Sequence, residues 1–240
     1  MNRKTLICIV EGQTENAVLK KLLAPCLGRQ GIDFYTPIVR AGRGRGGVKF
    51  LAADSLYKQI RNFLKDSRQP CVTTFFDYYA FPTGETKGWD FVSKLKSADI
   101  FREAEDLASL IEEELKKRAL EGVNLPNAHD RLIPYIQLHE LESLYFAEPQ
   151  KLADTFGRDS LAKLFQSIVE KSGGCEQIND SPQTAPSKRI EHAFPGYIKG
   201  RSDIAHGPRL ADKLDLAIVR QKCPRFNAWV GKLEALGKTT

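Results

Sequence analysis

The first uninterrupted apolar run, TLICIV over residues 5–10, shows no polar alternation, which predicts a strand buried on both faces. Residues 14–28 follow with Ala17, Val18, Leu22, Leu23 and Leu27 at helical spacing. IDFYTPIV (32–39) reads as a second strand, and residues 50–66 read as a helix with Leu51, Leu56, Ile60, Phe63 and Leu64 inward. CVTTFF (71–76), rich in β-branched and aromatic residues, is the third strand. After the turn signal FPTGETKG, residues 101–120 form a long charged helix and RLIPYIQL (131–138) a fourth strand. Strands that alternate with helices predict an α/β fold with a mostly parallel sheet flanked by helices. From residue 149 the pattern changes to short helices around a polar loop of 17 residues, KSGGCEQINDSPQTAPS. An α/β domain over 1–148 is therefore expected, with a helical extension over 149–240 packed on it.

The charge balance sharpens this picture. Lys and Arg number 36 against 30 Asp and Glu, a net charge of +6 over 240 residues, which favours polyanionic partners such as nucleic acid. No window approaches the roughly 18 apolar residues of a membrane span, and MNRKTLICIV lacks the pattern of a signal peptide, so a cytoplasmic protein without membrane contact is expected. Cys8, Cys26, Cys71, Cys175 and Cys223 are scattered, with no C-x-x-C pair and no histidine at ligand spacing, and read as reduced thiols.

The candidate chemistry lies where strands end, because open α/β sheets bind ligands outside the carboxyl ends of their strands. Glu11 follows the first strand, Asp77 the third, and Glu140 with Glu142 the fourth. If these strands are neighbours the acids crowd one pocket, where like charges require shared protons or cations. Hard oxygen ligands with no Cys or His pair nearby point to Mg²⁺ or Mn²⁺. Glu15 stands one helical turn after Glu11, either as a further ligand or as an acid favouring a helix N-terminus. Glu140 is the first choice on its segment and Glu142 the second.

VEGQTE, FFDYYAFP, LHELESLYF and CPRFNAW, in this order along nearly the whole chain, resemble the Toprim-like domain of unknown function 4276 family. The wider Toprim fold is shared by primases, topoisomerases and the nuclease half of OLD-family proteins. It carries a glutamate after its first strand and D-x-D after its third, which the resemblance maps onto Glu11 and Asp77. OLD-type nucleases add an acid four residues after that glutamate and another on a later strand, which maps onto Glu15 and Glu140. Those enzymes cleave phosphodiesters with two metal ions. The resemblance implies a nuclease in phage or mobile-element defence, beside an ATPase partner. The second acid of D-x-D is replaced by Tyr79, which leaves open whether Glu140 or Glu142 fills the gap, one metal suffices, or the fold serves in binding alone.

As a nuclease, the chain is expected to hold Mg²⁺ or Mn²⁺ through Glu11, Glu15, Asp77, Glu140 and Glu142, with Lys188 offsetting transition-state charge. RAGRGRGGVK places Arg40, Arg43, Arg45 and Lys49 on a glycine-rich loop suited to phosphate contact, or to plain solvation. Tyr78, Tyr79, Phe81 and Trp89 either stack on bases or pack on the sheet. His192 and His206 read as surface or capping residues, and Phe226 and Trp229 as anchors of a last helix. A non-catalytic nucleic-acid- or nucleotide-binding subunit is the rival reading.

Overall fold

The computed structural model describes residues 3–40, 47–79, 81–82, 86–98, 103–178, 181 and 183–238. The strands are β1 (Lys4–Val10), β2 (Ile32–Tyr35), β3 (Cys71–Asp77), β4 (Leu132–Ile133) and β5 (Ile136–Gln137). The first helices are α1 (Gln13–Arg29), α2 (Ala53–Leu64), α3 (Asp90–Ala98), α4 (Ala104–Leu120) and α5 (Ala128–Arg131). There follow α6 (Pro149–Thr155), α7 (Ala162–Ser172), α8 (Pro186–Ala193), α9 (Asp203–Ala211), α10 (Leu216–Lys222) and α11 (Pro224–Ala235). No helix among the described residues is long and apolar enough to cross a membrane.

The chain divides into two compact units, residues 1–12 with 31–137 and residues 13–30 with 138–240. The compact units divide at 137/138, where the sequence pattern divides at 148/149, and α1 belongs with the C-terminal helices. Its partner explains why: α1 packs along α9, with Thr14 hydrogen-bonded to Asp203 across 189 positions.

In the first unit every strand pair is parallel, in the order β2-β1-β3-β4, with β5 also on β3. This is the expected α/β architecture. Residues Leu6–Val10 are all buried, as the continuous apolar run requires. The second strand stops at Tyr35 rather than 39, because Pro37 has no N–H to give a ladder; only Ile38 bridges back to Val10. Pro134 likewise splits the fourth strand into β4 and β5 without a slip in register, since Thr73 faces Ile133 and Phe76 faces Ile136. Across the gap the Thr74 hydroxyl substitutes for the missing ladder bonds, donating to Tyr135 O and accepting from Tyr135 N, both at 2.9 Å.

Leu56, Ile60 and Leu64 of α2 are buried, as are Leu107, Ile111 and Leu115 of α4, while Phe63 is only half-buried. Arg61 ties the two helices by donating to Ala119 O at 2.8 Å and Arg118 O at 2.9 Å, capping the carbonyl end of α4. The turn expected over 81–88 runs into α3, which the sequence pattern did not reveal. Trp89 at its start is fully buried between Phe81 and Phe91 and donates Nε1–H to Leu51 O at 2.7 Å. Trp89, Phe81 and Tyr78 are therefore packing residues, and Tyr79 is exposed.

The second unit is helical throughout its described residues apart from loops. Pro224 opens α11 and the buried carboxylate of Glu176 accepts the Arg225 and Phe226 amides, both at 2.9 Å, an anion on a helix N-terminus. Phe226 and Trp229 are buried against each other, as expected. Where α9 meets α1, Gly207 has no room for a side chain: a Cβ there would lie 2.9 Å from both Thr14 Cγ2 and Tyr145 Oη. Gly207→Ala should therefore destabilise by about 1–3 kcal/mol. Gly231→Ala in α11, where a Cβ meets open space, should instead stabilise by about 0.5–1 kcal/mol. Urea unfolding of the two variants checks the difference in sign.

Candidate functional site

The strand order places a topological switch between β1 and β3: the chain leaves β1 for β2 on one side and returns to β3 on the other. Such a switch opens a crevice beyond the carboxyl ends of the two strands. Glu11 follows the last residue of β1 and Asp77 is the last residue of β3. The parallel pairing ends at Val10 with Phe75, so the amide of Asp77 lies past the β1 ladder. It donates instead to Glu11 Oε1 at 3.0 Å. Asp77 is buried and Glu11 half-buried. On its other side β3 continues on β5, where Asp77 pairs with Gln137 and the Tyr78 amide donates to Gln137 O at 2.9 Å.

The basic loop starts at the same sheet end. Val39 N donates to Val10 O at 2.8 Å, which brings Arg40 beside the exit of β1. Arg40 is held by Gln59, whose side chain accepts from Arg40 N at 3.0 Å and donates to Arg40 O at 3.2 Å. Lys49 is exposed, with Nζ 5.0 Å over the Phe50 ring. Arg43 and Arg45 lie outside the described residues.

Glu140 and Glu142 belong to the second unit and form a site of another kind. His139 adopts a left-handed backbone (φ 61°), Glu140 is extended, and a 3-10 helix begins at Leu141. This abrupt change makes the two glutamates converge. Lys199 Nζ lies 3.0 Å from Glu140 Oε1 and 3.0 Å from Glu142 Oε2. The remaining oxygens are also taken: Glu140 Oε2 accepts Ser187 N at 2.8 Å and Glu142 Oε1 accepts the Tyr197 hydroxyl at 2.8 Å. Both carboxylates are buried and share the Lys199 ammonium. Glu15 is half-buried in the first turn of α1.

Lys188, the expected charge-stabilising lysine, does not join these acids. Its Nζ pairs with Glu191 Oε2 at 2.5 Å. Lys199 stands in that place, and nothing in the loop PGYIKGRS marked it, because two residues at i and i+2 of an irregular segment carry no periodic signal. His192 is exposed; His206 is half-buried among Phe156, Phe194 and Tyr197, and burial and Arg209 push its pKa below the usual value. Among the described residues no three His, Cys, Asp or Glu side chains group as a metal centre.

Removing Lys199 leaves two buried carboxylates without their cation. Lys199→Met should cost about 3–5 kcal/mol, whereas Lys188→Met, which breaks a more exposed pair, should cost less than about 1 kcal/mol; chemical denaturation of both variants measures this.

Burial first, and Glu142 next, hold the Tyr145 and Tyr197 phenols well above their usual pKa near 10. A folded-state value above the unfolded one means that the unfolded chain loses these protons first, so stability is level below about pH 10 and falls above it. In an absorbance titration these two phenolates should appear only together with loss of the fold; a native titration step removed by Tyr197→Phe would contradict this.

The family model of the domain of unknown function DUF4276 matches residues 10–234. No curated protein matches the chain. Among solved structures, the C-terminal region of the Xanthomonas campestris pv. campestris OLD protein is similar at 13% identity and a TM-score of 0.44, over 97% of this chain and 95% of that one. At this distance the likeness carries no statement about activity.

Proposed function

The chain belongs to the DUF4276 family, and from the acid pair at the switch point of its sheet we propose that it is a metal-dependent nuclease, hydrolysing phosphodiesters of DNA or RNA. The observation that carries the reading is the Asp77 amide on Glu11 Oε1 at 3.0 Å, which joins the acids of adjacent strand ends.

The donor set fits a hard divalent ion. Mg²⁺ is commonly bound by one or two carboxylates, keeping waters and substrate phosphates as its other ligands, so the pair is sufficient without the second aspartate that Tyr79 replaces. Glu11 and Asp77 would hold Mg²⁺ or Mn²⁺. The chemistry that such an ion supplies when bound is polarisation of a phosphate and activation of water. The Asp77 amide keeps the Glu11 carboxylate turned to the strand end, so less ordering remains for the moment of binding. Arg40, anchored by Gln59, starts the basic loop at the same end, and with Arg43, Arg45 and Lys49 it attracts the phosphate backbone. Glu140 and Glu142 are assigned to Lys199 in this reading, and not to the ion.

One observation favours a second reading, the non-catalytic nucleic-acid- or nucleotide-binding subunit: Tyr79, which stands where the family pattern has an acid, is exposed. A role in phage defence and an ATPase partner belong to either reading as proposals drawn from the family resemblance.

Incubation with plasmid, single-stranded DNA and RNA in Mg²⁺ or Mn²⁺ separates the two. The nuclease reading expects cleavage that falls by at least about 100-fold in Glu11→Gln and in Asp77→Asn, with nucleic-acid binding retained. Salt-sensitive binding without cleavage, indifferent to both substitutions, overturns it in favour of the binding subunit.

A further inference from the structure

Among the described residues, the large apolar side chains of the first unit that reach water are all aromatic: Tyr35 is 49% exposed, Phe50 52% and Tyr79 42%. Those of the second unit, Leu164, Ile198 and Ile204, are aliphatic. Phe50 and Tyr79 stand at the sheet end that carries Glu11 and Asp77. Tyr79 is two positions beyond Asp77. Phe50 ends the short 3-10 turn before α2, and a helix that crosses from one parallel strand to another starts at the carboxyl end of the sheet. A line of contacts joins the two positions. Phe76, next to Asp77, packs on Phe81 with ring centroids 6.2 Å apart, Phe81 packs on Trp89 at 5.1 Å, and Trp89 Nε1–H donates to Leu51 O at 2.7 Å.

The turn that carries Phe50 is held in place. Lys87, exposed and with a left-handed backbone (φ 76°), donates from Nζ to Phe50 O at 3.2 Å, beside the carbonyl that Trp89 takes. Gly47 has φ 107°, and a Cβ on it would come within 3.3 Å of Phe50 Cδ2, so only glycine lets the chain pass the ring there. A ring presented to water on an ordered turn gives up the burial that normally offsets ordering, and a flat apolar ligand would restore it. The charges around it say which ligand. Lys49 Nζ stands 5.0 Å over the Phe50 ring, and Arg40 is tied to Gln59 of α2. Residues 38–65 carry seven Lys and Arg against one acid, Asp54, which sits in the first turn of α2, where a helix N-terminus favours it. An apolar protein or lipid face has no use for an ammonium over the ring. A nucleotide offers both a π-face and an anion.

We propose that this sheet end binds unpaired nucleic acid, with Phe50 and Tyr79 as stacking platforms for its bases and Lys49, Lys87 and Arg40 as its phosphate contacts. A duplex keeps its bases stacked on one another and offers no free face, so the ligand class is single-stranded. Every base has a π-face, so sequence matters little to such a site. Tyr79 thereby has a function of its own at the position where the family pattern has an acid. The proposal rests on nucleic acid as the ligand of this sheet end, which the nuclease reading and the binding-subunit reading share, and adds the strand state that neither specifies.

The test measures fluorescence anisotropy of a labelled oligothymidylate of about 15 nucleotides, and of a duplex of the same length, on the full chain carrying Glu11→Gln and Asp77→Asn so that nothing is cleaved. The single strand should bind more tightly. Phe50→Ala in that background should weaken single-strand binding about 5- to 150-fold, the range of one lost base stack, and Tyr79→Ala should act in the same direction. Lys49→Gln should lower the slope of log affinity against log salt by about 0.7. Tyr35→Ala is the control: its residue is as exposed but pairs with Ile7, three positions short of the end of β1, and binding should be unchanged. Phe50→Trp adds a direct readout, since a stacked base quenches the new indole. Preference for the duplex, equal affinity with and without Phe50→Ala, an equal loss in Tyr35→Ala, or no quenching in Phe50→Trp overturns the proposal. Single-strand binding by a chain that cleaves nothing in its unaltered form removes the nuclease reading alone, and cleavage by a chain that prefers duplex removes this proposal alone.

Discussion

The parallel pairing of β1 with β3 is the constraint on which the first unit depends. Leu6 to Val10 are buried, so every amide and carbonyl of that stretch must find a partner in the protein. β2 supplies them as far as Ile7, β3 as far as Val10, and Pro37 O with Val39 N complete Val10 itself. Beyond that point the ladder has no strand left to continue. The Glu11 carboxylate then accepts the Asp77 amide that a main-chain carbonyl would otherwise have taken. The acid that carries the proposed chemistry is thus also what finishes the sheet, which is why its orientation is determined by the backbone and not by a rotamer preference alone.

A different constraint rules the second unit. Buried carboxylates are tolerable only with cations or donors on their oxygens, and Glu140 and Glu142 obtain theirs from Lys199, Tyr197 and the Ser187 amide. Two of these donors come from one irregular loop, 194–202, which has little apolar pattern of its own. That loop is shaped by the charges it must reach. Asp203, one residue further on, is buried as well and gives its Oδ2 to the Thr14 hydroxyl at 3.1 Å.

Much of the fold was legible along the chain. β1, α1, α2, β3 and α4 lie close to where apolar periodicity placed them, since burial on one face or two is a local property of the pattern. The errors have local causes as well: Pro37 shortens the second strand, Pro134 divides the fourth, and α3 starts from a buried Trp89 in a segment that glycine and proline made look like a turn. Glu11 and Asp77 were legible as companions because parallel strands put their carboxyl ends on one side. Lys199, Tyr197 and Asp203 were not, because a contact between residue 142 and residue 199 leaves no trace in the spacing of either.

By itself, then, the sequence determined the element types, the direction of the sheet and the acids at its strand ends, all of which follow from short-range spacing and from the rule that buried backbone must be paired. Only the tertiary structure decided which charges meet. It assigned α1 to the C-terminal helices through the close approach at Gly207, joined Glu11 to Asp77 through a backbone amide, and brought Glu140 and Glu142 onto one lysine. Coulombic pairing depends on separations of a few ångströms in space, and residues scores of positions apart acquire such separations only when the chain has folded.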